Sequence, residues 1–387
     1  EMRYSDRSGV ANTFEMERAK KMADYYDIRL DVVKLDYTQN AEQLFTKVRK
    51  TFQSQQFANL TGFNHWMLAE HAEKTSNTSK KEVVFAGEMS DGAHNFGFSQ
   101  YVSIFHPDSY DFREYSDKMG TYLFGPTFLN ALIDKRHEND PVWNLFKSSK
   151  SNDFFEPIAN DERSIKEQFL KSFFLRSGRM PLAKNNSNLL NDFGKKELDR
   201  VSTDVYLKDY IDNLSKENLY ASYLDLYNSF HWQGGTVATL YHVCEAHNLK
   251  CALPFHDSSL IDFLSQMPES WGRGLEMKPT KYPLKWMLSN RIDYPMELQQ
   301  GAHSYTYDVD PSFTHIGELL NHSSLKNVFL DSLKNTNLEK LFSSEYFNLD
   351  YINDLVDRYQ DGEEICVAEQ GDLLNISMQT ILGPNIS

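Results

Sequence analysis

The segment Val83-Val84-Phe85-Ala86-Gly87-Glu88-Met89-Ser90-Asp91 constrains the fold of this chain more than any other. Four apolar residues, Val83 to Ala86, read as a short buried strand. Gly87 then opens a turn that sets two carboxylates and a hydroxyl close together. Parallel α/β sheets present their chemistry at the carboxyl ends of their strands, so an apolar run closing on Gly and acids predicts such a sheet with a ligand at its edge. Gly87 lets backbone N–H groups approach a ligand closely. Asp91 suits Mg²⁺, which prefers one or two carboxylates together with phosphate oxygens. Glu88 has the chemistry of a general base. A plain acidic turn after a buried strand would look the same, so the segment does not define a function by itself.

The elements around it repeat the α/β signal. Met2-Arg3-Tyr4 reads as a short strand running into a polar loop. Phe14 to Tyr26 reads as an amphipathic helix with Thr13 as its N-cap. Ile28 to Leu35 alternates in part and reads as the next strand. Ala41 to Phe52 and Asn64 to Glu73 read as helices before the strand at Val83. This β-α-β-α-β order favours a parallel sheet with helices on its faces. From His106 the character becomes helical, most clearly over Ile165 to Phe174 and Lys208 to Phe230. Thr236 to His247 and Leu260 to Met267 read as helices flanking the short apolar run Cys251 to Phe255. The expected organisation is an α/β nucleotide-binding region over 1–105, a mainly helical insert over 106–235 that holds a substrate or partner, and a mostly helical remainder over 236–387.

Composition narrows the function classes. With 387 residues the chain is large enough for more than one core. A net charge of -15 argues against nucleic acid, which needs a basic footprint, and against an anionic membrane surface. No apolar run reaches the length of a membrane span, and no signal peptide is read. Three cysteines, Cys244, Cys251 and Cys366, have neither a disulfide framework nor metal-site spacing, which points to a reducing cytoplasm.

Two further segments carry chemistry. Pro283 in Lys281-Tyr282-Pro283-Leu284-Lys285 suits a first helical turn, which sets Lys281 at a helix N-terminus where the dipole also favours anions. In Pro254-Phe255-His256-Asp257, Asp257 is a good N-cap for the helix that follows, and His256 is a candidate polar site residue. A solvated lysine and a plain capping aspartate are the simpler readings of each segment alone.

Together the three segments resemble the asparagine synthetase family. Gly87-Glu88-Met89-Ser90-Asp91 is similar to that family's G-E-G-S-D-E, Pro254-Phe255-His256-Asp257 to its P-F-L-D, and Thr280-Lys281-Tyr282-Pro283-Leu284-Lys285 to its (T/E)-K-x-x-L-R, in the same order. The resemblance implies an adenine nucleotide alpha-hydrolase-like (Rossmann-like) α/β domain with a parallel sheet and large helical additions. It implies an ATP-dependent ligase with ATP and Mg²⁺ as cofactors. A substrate carboxylate becomes an acyl-adenylate, and an amine or ammonia then displaces AMP. By position, Ala86, Gly87 and Ser90 would line the nucleotide, and Asp91 would hold Mg²⁺ or orient the pyrophosphate. Lys281 would stabilise the pyrophosphate and the transition-state oxygens, and Glu88 would help deprotonate the amine. Asp257, with His256 beside it, would support the site.

Departures from the family are informative. Its phosphate loop, S-G-G-x-D-S, is absent. Ser5-Asp6-Arg7-Ser8-Gly9 resembles it only superficially, because the helix and strand after it align with the segment following the family's second strand. The missing loop belongs to a central strand, so residues upstream of Glu1 or another chain are expected to supply it. A glutaminase domain or chain is expected upstream on the same grounds. Gly92 replaces the acid after the aspartate, Ala93 to Tyr101 replaces L-F-G-G-Y, and Gln299 to Tyr305 lacks the usual basic residues. These changes point away from asparagine as product and toward an atypical amide ligase acting on a small carboxylate and an amine. The competing reading is a catalytically degraded binding or scaffold subunit. A third is a relative that activates a nucleobase or tRNA oxygen, which the acidic charge disfavours for tRNA.

Overall fold

The computed structural model describes residues 1–39, 41–55, 60–76, 81–95, 118–148, 161–174, 188–230, 232–276, 278–299 and 314–382. These residues are mostly helical, with two small parallel sheets of two strands each. The first sheet pairs β1 (Met2–Arg3) with β2 (Leu35–Asp36), linked by α1 (Thr13–Tyr25). Helices α2 (Ala41–Gln55) and α3 (Leu60–Thr75) lead to β3 (Val83–Phe85), followed directly by α4 (Ser90–Asn95). β3 pairs with β4 (Lys250–Ala252), about 170 residues on, in the register Val83↔Lys250 and Phe85↔Ala252.

Between these strands the described elements are helices, including α5 (Pro126–Ile133), α6 (Glu162–Phe174), α7 (Leu219–Phe230) and α8 (Trp232–Ala246). After β4, a short 3-10 turn (Pro254–His256) enters α9 (Ser258–Ser265), and α10 (Tyr282–Arg291) follows a loop. The carboxyl-terminal part packs α11 (His315–His322), α12 (Leu325–Asn335), α13 (Leu349–Gln360) and α14 (Val367–Leu382) around Leu319, Phe329, Leu355 and Leu373, all fully buried. Among the described residues no helix is long and apolar enough to cross a membrane.

Several local expectations change on contact with the tertiary structure. β3 is not a buried strand: Val83 is 47% and Phe85 73% exposed. Only β4 pairs with it among the described residues. Of the expected strand Ile28 to Leu35, only its end joins a ladder, and Ile28, Leu30 and Val32 are exposed. Alternation marks a strand only where a partner edge meets it. Thr13 is the first helical residue rather than the cap. Asn12 holds that position, and the Thr13 hydroxyl donates back to the Val10 carbonyl at 3.2 Å. The expected helix over Lys208 to Phe230 is broken after Asn213. Leu214 turns extended there, and Asn218 bridges the break by accepting from the Ser215 N–H and donating to the Asn213 carbonyl.

Candidate functional site

The carboxyl ends of β3 and β4 lie side by side, because the strands are parallel neighbours and the Ala86 N–H donates to the Ala252 carbonyl at 3.1 Å. The turn Gly87–Met89 and the segment Pro254–Asp257 therefore leave the same end of one sheet. Gly87 is exposed, and a Cβ there would touch nothing within 4 Å. Its backbone is open to an approaching group. Met89 is buried with φ 73°, a left-handed conformation uncommon outside Gly and Asn, so the turn is held by its surroundings. Ser90 starts α4, and its N–H donates to the Gly87 carbonyl at 3.3 Å. Asp91 lies in the first turn of α4, and its side chain falls outside the described residues.

Glu88 faces α3. Its carboxylate lies 3.9 Å from His65 Nε2, and its charge helps hold the Cys251 thiol above the ordinary range, although burial is the larger cause. Burial also lowers the pKa of His65, which favours its neutral form. His94, at the far end of α4, is buried. Its Nδ1 lies 2.9 Å from the Ser90 carbonyl, which can only accept, so the proton sits on Nδ1.

Asp257 occupies the N-cap of α9, with Oδ1 accepting from Ser259 N at 2.9 Å and Leu260 N at 3.3 Å. The adjacent His256 is exposed. Lys281 is the N-cap of α10 with φ 55°, and Pro283 lies in the first turn. The N-terminus of this ten-residue helix is thus built as the lysine–proline pattern requires.

One short loop, which sequence reasoning missed, links the far ends of the helices that follow the first two segments to the start of the third. Arg273 is fully buried. Its Nε donates to the His94 carbonyl at 3.2 Å, Nη2 to Ala93 at 3.0 Å and Nη1 to Leu264 at 2.8 Å. It thereby caps the ends of α4 and α9 at once, and its guanidinium lies over the Tyr220 ring at 4.5 Å. Burial pushes its pKa down to about 10, yet the charge persists at neutral pH. The neighbouring Gly272, at φ 97°, packs so closely that a Cβ there would lie 2.4 Å from the Pro279 carbonyl and 3.0 Å from Tyr282 Cβ. Gly272 thus anchors the start of α10 while Arg273 clamps α4 and α9. A lone arginine between two glycines was the available signal.

Gly92 packs against α7, where a Cβ would lie 2.0 Å from Tyr227 Cε1. The acid that the family has here would not fit. The Ser5–Gly9 loop is also committed elsewhere. The buried Ser5 hydroxyl donates to the Glu318 carboxylate, and Arg7 lies 3.6 Å from the other Glu318 oxygen. A buried carboxylate among the loop's donors would repel a phosphate. Among the described residues no three His, Cys, Asp or Glu side chains group as metal ligands. The expected changes at 96–101 and 300–305 lie outside the described residues. No protein-family model, no curated protein and no solved structure matches this chain.

Proposed function

We propose that this chain is the synthetase part of an asparagine synthetase-like amide ligase. It activates a small carboxylate with ATP as an acyl-adenylate and passes the acyl group to an amine or ammonia, releasing AMP and pyrophosphate. The observation that carries this reading is that Gly87–Ser90 and Pro254–Asp257 leave adjacent parallel strands at the same end of one sheet. Gly272 packs on the start of the Lys281 helix, and its neighbour Arg273 bonds the far ends of α4 and α9, the helices that follow the two strands. A carboxylate is a poor electrophile until it carries a good leaving group, and cationic and helix-terminal donors stabilise the charge that develops on pyrophosphate. Lys281 at the start of α10 supplies both. Glu88, beside a His65 whose charged form burial disfavours, would accept a proton from the attacking amine.

ATP fits the residues present in part. Gly87 offers open backbone, and Lys281 offers a cation at a helix N-terminus. With no cluster of three protein ligands among the described residues, Mg²⁺ would be held chiefly through phosphate oxygens, with Asp91 as its protein carboxylate. Bound there, ATP supplies the phosphoryl electrophile and Mg²⁺ offsets its charge.

On the same reading the two strand pairs are parts of one adenine nucleotide alpha-hydrolase-like sheet. The ladder to β4 uses the Glu82 carbonyl and the Ala86 N–H, so the N–H and C=O groups of Val83 and Phe85 point to the opposite edge. A strand carrying a phosphate loop would pair there. The outer edge of β1 is already met by Val10 and Ala11, with the Ala11 N–H donating to Met2 O at 2.8 Å. The three cysteines are free thiols, which suits a cytoplasmic location.

The one stretch that superficially resembles a phosphate loop engages Glu318 through Ser5 and Arg7, which leaves open a second reading, a scaffold subunit that keeps the fold and has lost the chemistry. Calorimetry of ATP–Mg²⁺ binding to the full-length native protein separates the two. The ligase binds ATP, and Lys281→Ala weakens binding at least about tenfold while the melting curve is unchanged. No ATP binding by the native protein would decide for the scaffold.

A further inference from the structure

The loop between α9 and α10 is docked on the chain at 118–127. The Gly274 N–H donates to the Thr121 hydroxyl at 3.1 Å. Lys118 Nζ donates to the Glu276 carbonyl and, at 2.8 Å, to the Lys278 carbonyl. Glu269 Oε2 accepts from the Thr127 hydroxyl at 2.7 Å in the first turn of α5. Gly272, in the same loop, packs on Pro279 and Tyr282 at the start of α10. The dock therefore sets where α10 begins, and Lys281 with it.

One atom in this contact has the wrong partners for a carboxylate. Glu269 Oε1 is shielded from solvent and has no hydrogen-bond partner among the described residues. It lies against Gly125, where a Cβ would sit 2.4 Å from Oε1, 2.8 Å from the Thr121 carbonyl oxygen and 3.2 Å from the Tyr122 carbonyl oxygen. Three oxygens thus share one small space, and carbonyls can only accept. An ionised Oε1 adds a third acceptor and a charge. A protonated Oε1 brings a donor that either carbonyl can take, so the proton turns repulsion into a hydrogen bond. The charged and titratable groups around Glu269 come from several elements. On its own loop, Glu276 adds a like charge, and the Arg273 guanidinium bonds to the carbonyls of Ala93, His94 and Leu264. From the chain at 118–127, Lys118 bonds to loop carbonyls, and the Tyr122 hydroxyl donates to Asp140. From α7, the Tyr220 ring lies under the Arg273 guanidinium. Burial is the largest cause that pushes the Glu269 carboxyl from 4.5 to about 7, the Thr127 bonds oppose it, and Glu276 reinforces it.

We propose that Glu269 is a proton-operated clasp, which in its protonated form docks the loop at 268–276, and with it the start of α10, onto the chain at 118–127. Loss of the proton loosens the dock. The clasp itself is independent of the ligase reading, and its effect on nucleotide binding through Lys281 rests on that reading. The sign follows from the two states of the loop. An undocked Glu269 keeps the ordinary value of 4.5, so the docked loop holds the proton more tightly. The advantage of docking is complete below that value, shrinks as pH rises, and reaches its minimum above about 7. Partial exposure screens the effect, which leaves about a tenfold change in the opening of the dock between pH 5 and pH 8.

Amide hydrogen exchange on the full-length native protein, read by mass spectrometry and corrected for the intrinsic rate at each pH, measures the opening. The reporters are the N–H groups of Arg273, which donates to the Glu269 carbonyl at 2.9 Å, and Gly274. In wild type their opening should rise about tenfold from pH 5 to pH 8. In Glu269→Gln, whose amide can donate to the same carbonyls at every pH, it should change less than about twofold. The absence of a rise in wild type, which needs no variant, would overturn the clasp, and so would a rise of equal size in both proteins. ATP–Mg²⁺ at about ten times its dissociation constant should slow exchange at Gly274 about tenfold at pH 8, because it binds the docked form. Binding of ATP with no slowing would overturn the link to Lys281. A rise in wild type alone, with no ATP binding, leaves the clasp standing and sinks the ligase reading. ATP binding with no difference between wild type and Glu269→Gln sinks the clasp and leaves the ligase reading standing.

Discussion

Glu269 offers a quantitative test of how the loop between α9 and α10 is held. Its Oε2 accepts from the Thr127 hydroxyl at 2.7 Å and the Thr127 N–H at 3.3 Å, which caps the first turn of α5. Its Oε1 is buried with no partner among the described residues, and Glu276 adds a like charge. Burial is the main cause that pushes this carboxyl up from 4.5 to about 7. Below pH 4.5 the group is protonated in both the folded and the unfolded chain. As pH rises from there toward 7 the unfolded chain releases its proton first, so the native state holds more protons and stability falls with pH. At about 1.36 kcal/mol per pH unit, a rise from 4.5 to about 7 corresponds to ~3 kcal/mol at full burial. Partial exposure screens this to ~1–3 kcal/mol. Glu269→Gln keeps an acceptor for Thr127 and removes the charge. Urea denaturation of both proteins at pH 5 and pH 8.5 measures the effect. The stability of the variant relative to wild type should rise by ~1–3 kcal/mol between the two pH values. A gap that stays constant or shrinks with pH would refute the reasoning.

Other perturbations test the same frame. Gly92→Ala drives a Cβ to 2.0 Å from Tyr227 Cε1, and denaturation should show a loss of about 1–3 kcal/mol or more, partly recovered by adding Tyr227→Leu. Arg273→Met strands the carbonyls of Ala93, His94 and Leu264. Relief of the buried charge offsets part of that cost, leaving a net loss of about 2–4 kcal/mol by the same assay. Asp257→Ala removes the α9 cap and should cost about 1 kcal/mol, while Asp257→Asn, which still caps, should cost less.

What the sequence reveals here is what local chemistry controls. The Asp257 cap bonds to N–H groups two and three residues on, and Pro283 sets the start of α10, so both are legible from neighbouring residues. The four-residue apolar run at Val83 specifies a strand but not its burial, which depends on partners distant in sequence. With only β4 beside it among the described residues, Phe85 is 73% exposed. Ile28 to Leu35 shows why alternation is insufficient: of these residues only Leu35 joins the ladder with β1. The break after Asn213 depends on the Asn218 side chain bonding to the backbone, a competition that helical periodicity does not register. Arg273 has no periodic signature at all, because its partners lie about 180 residues upstream and 9 residues away on another helix.

The central claim is that this protein activates a carboxylate with ATP. ATP–pyrophosphate exchange measures that step directly, and needs no knowledge of the amine. On the full-length native protein with a panel of small carboxylates, exchange should appear with at least one of them and require Mg²⁺. Absence of exchange with every carboxylate, under conditions where the protein is folded, would contradict the ligase account.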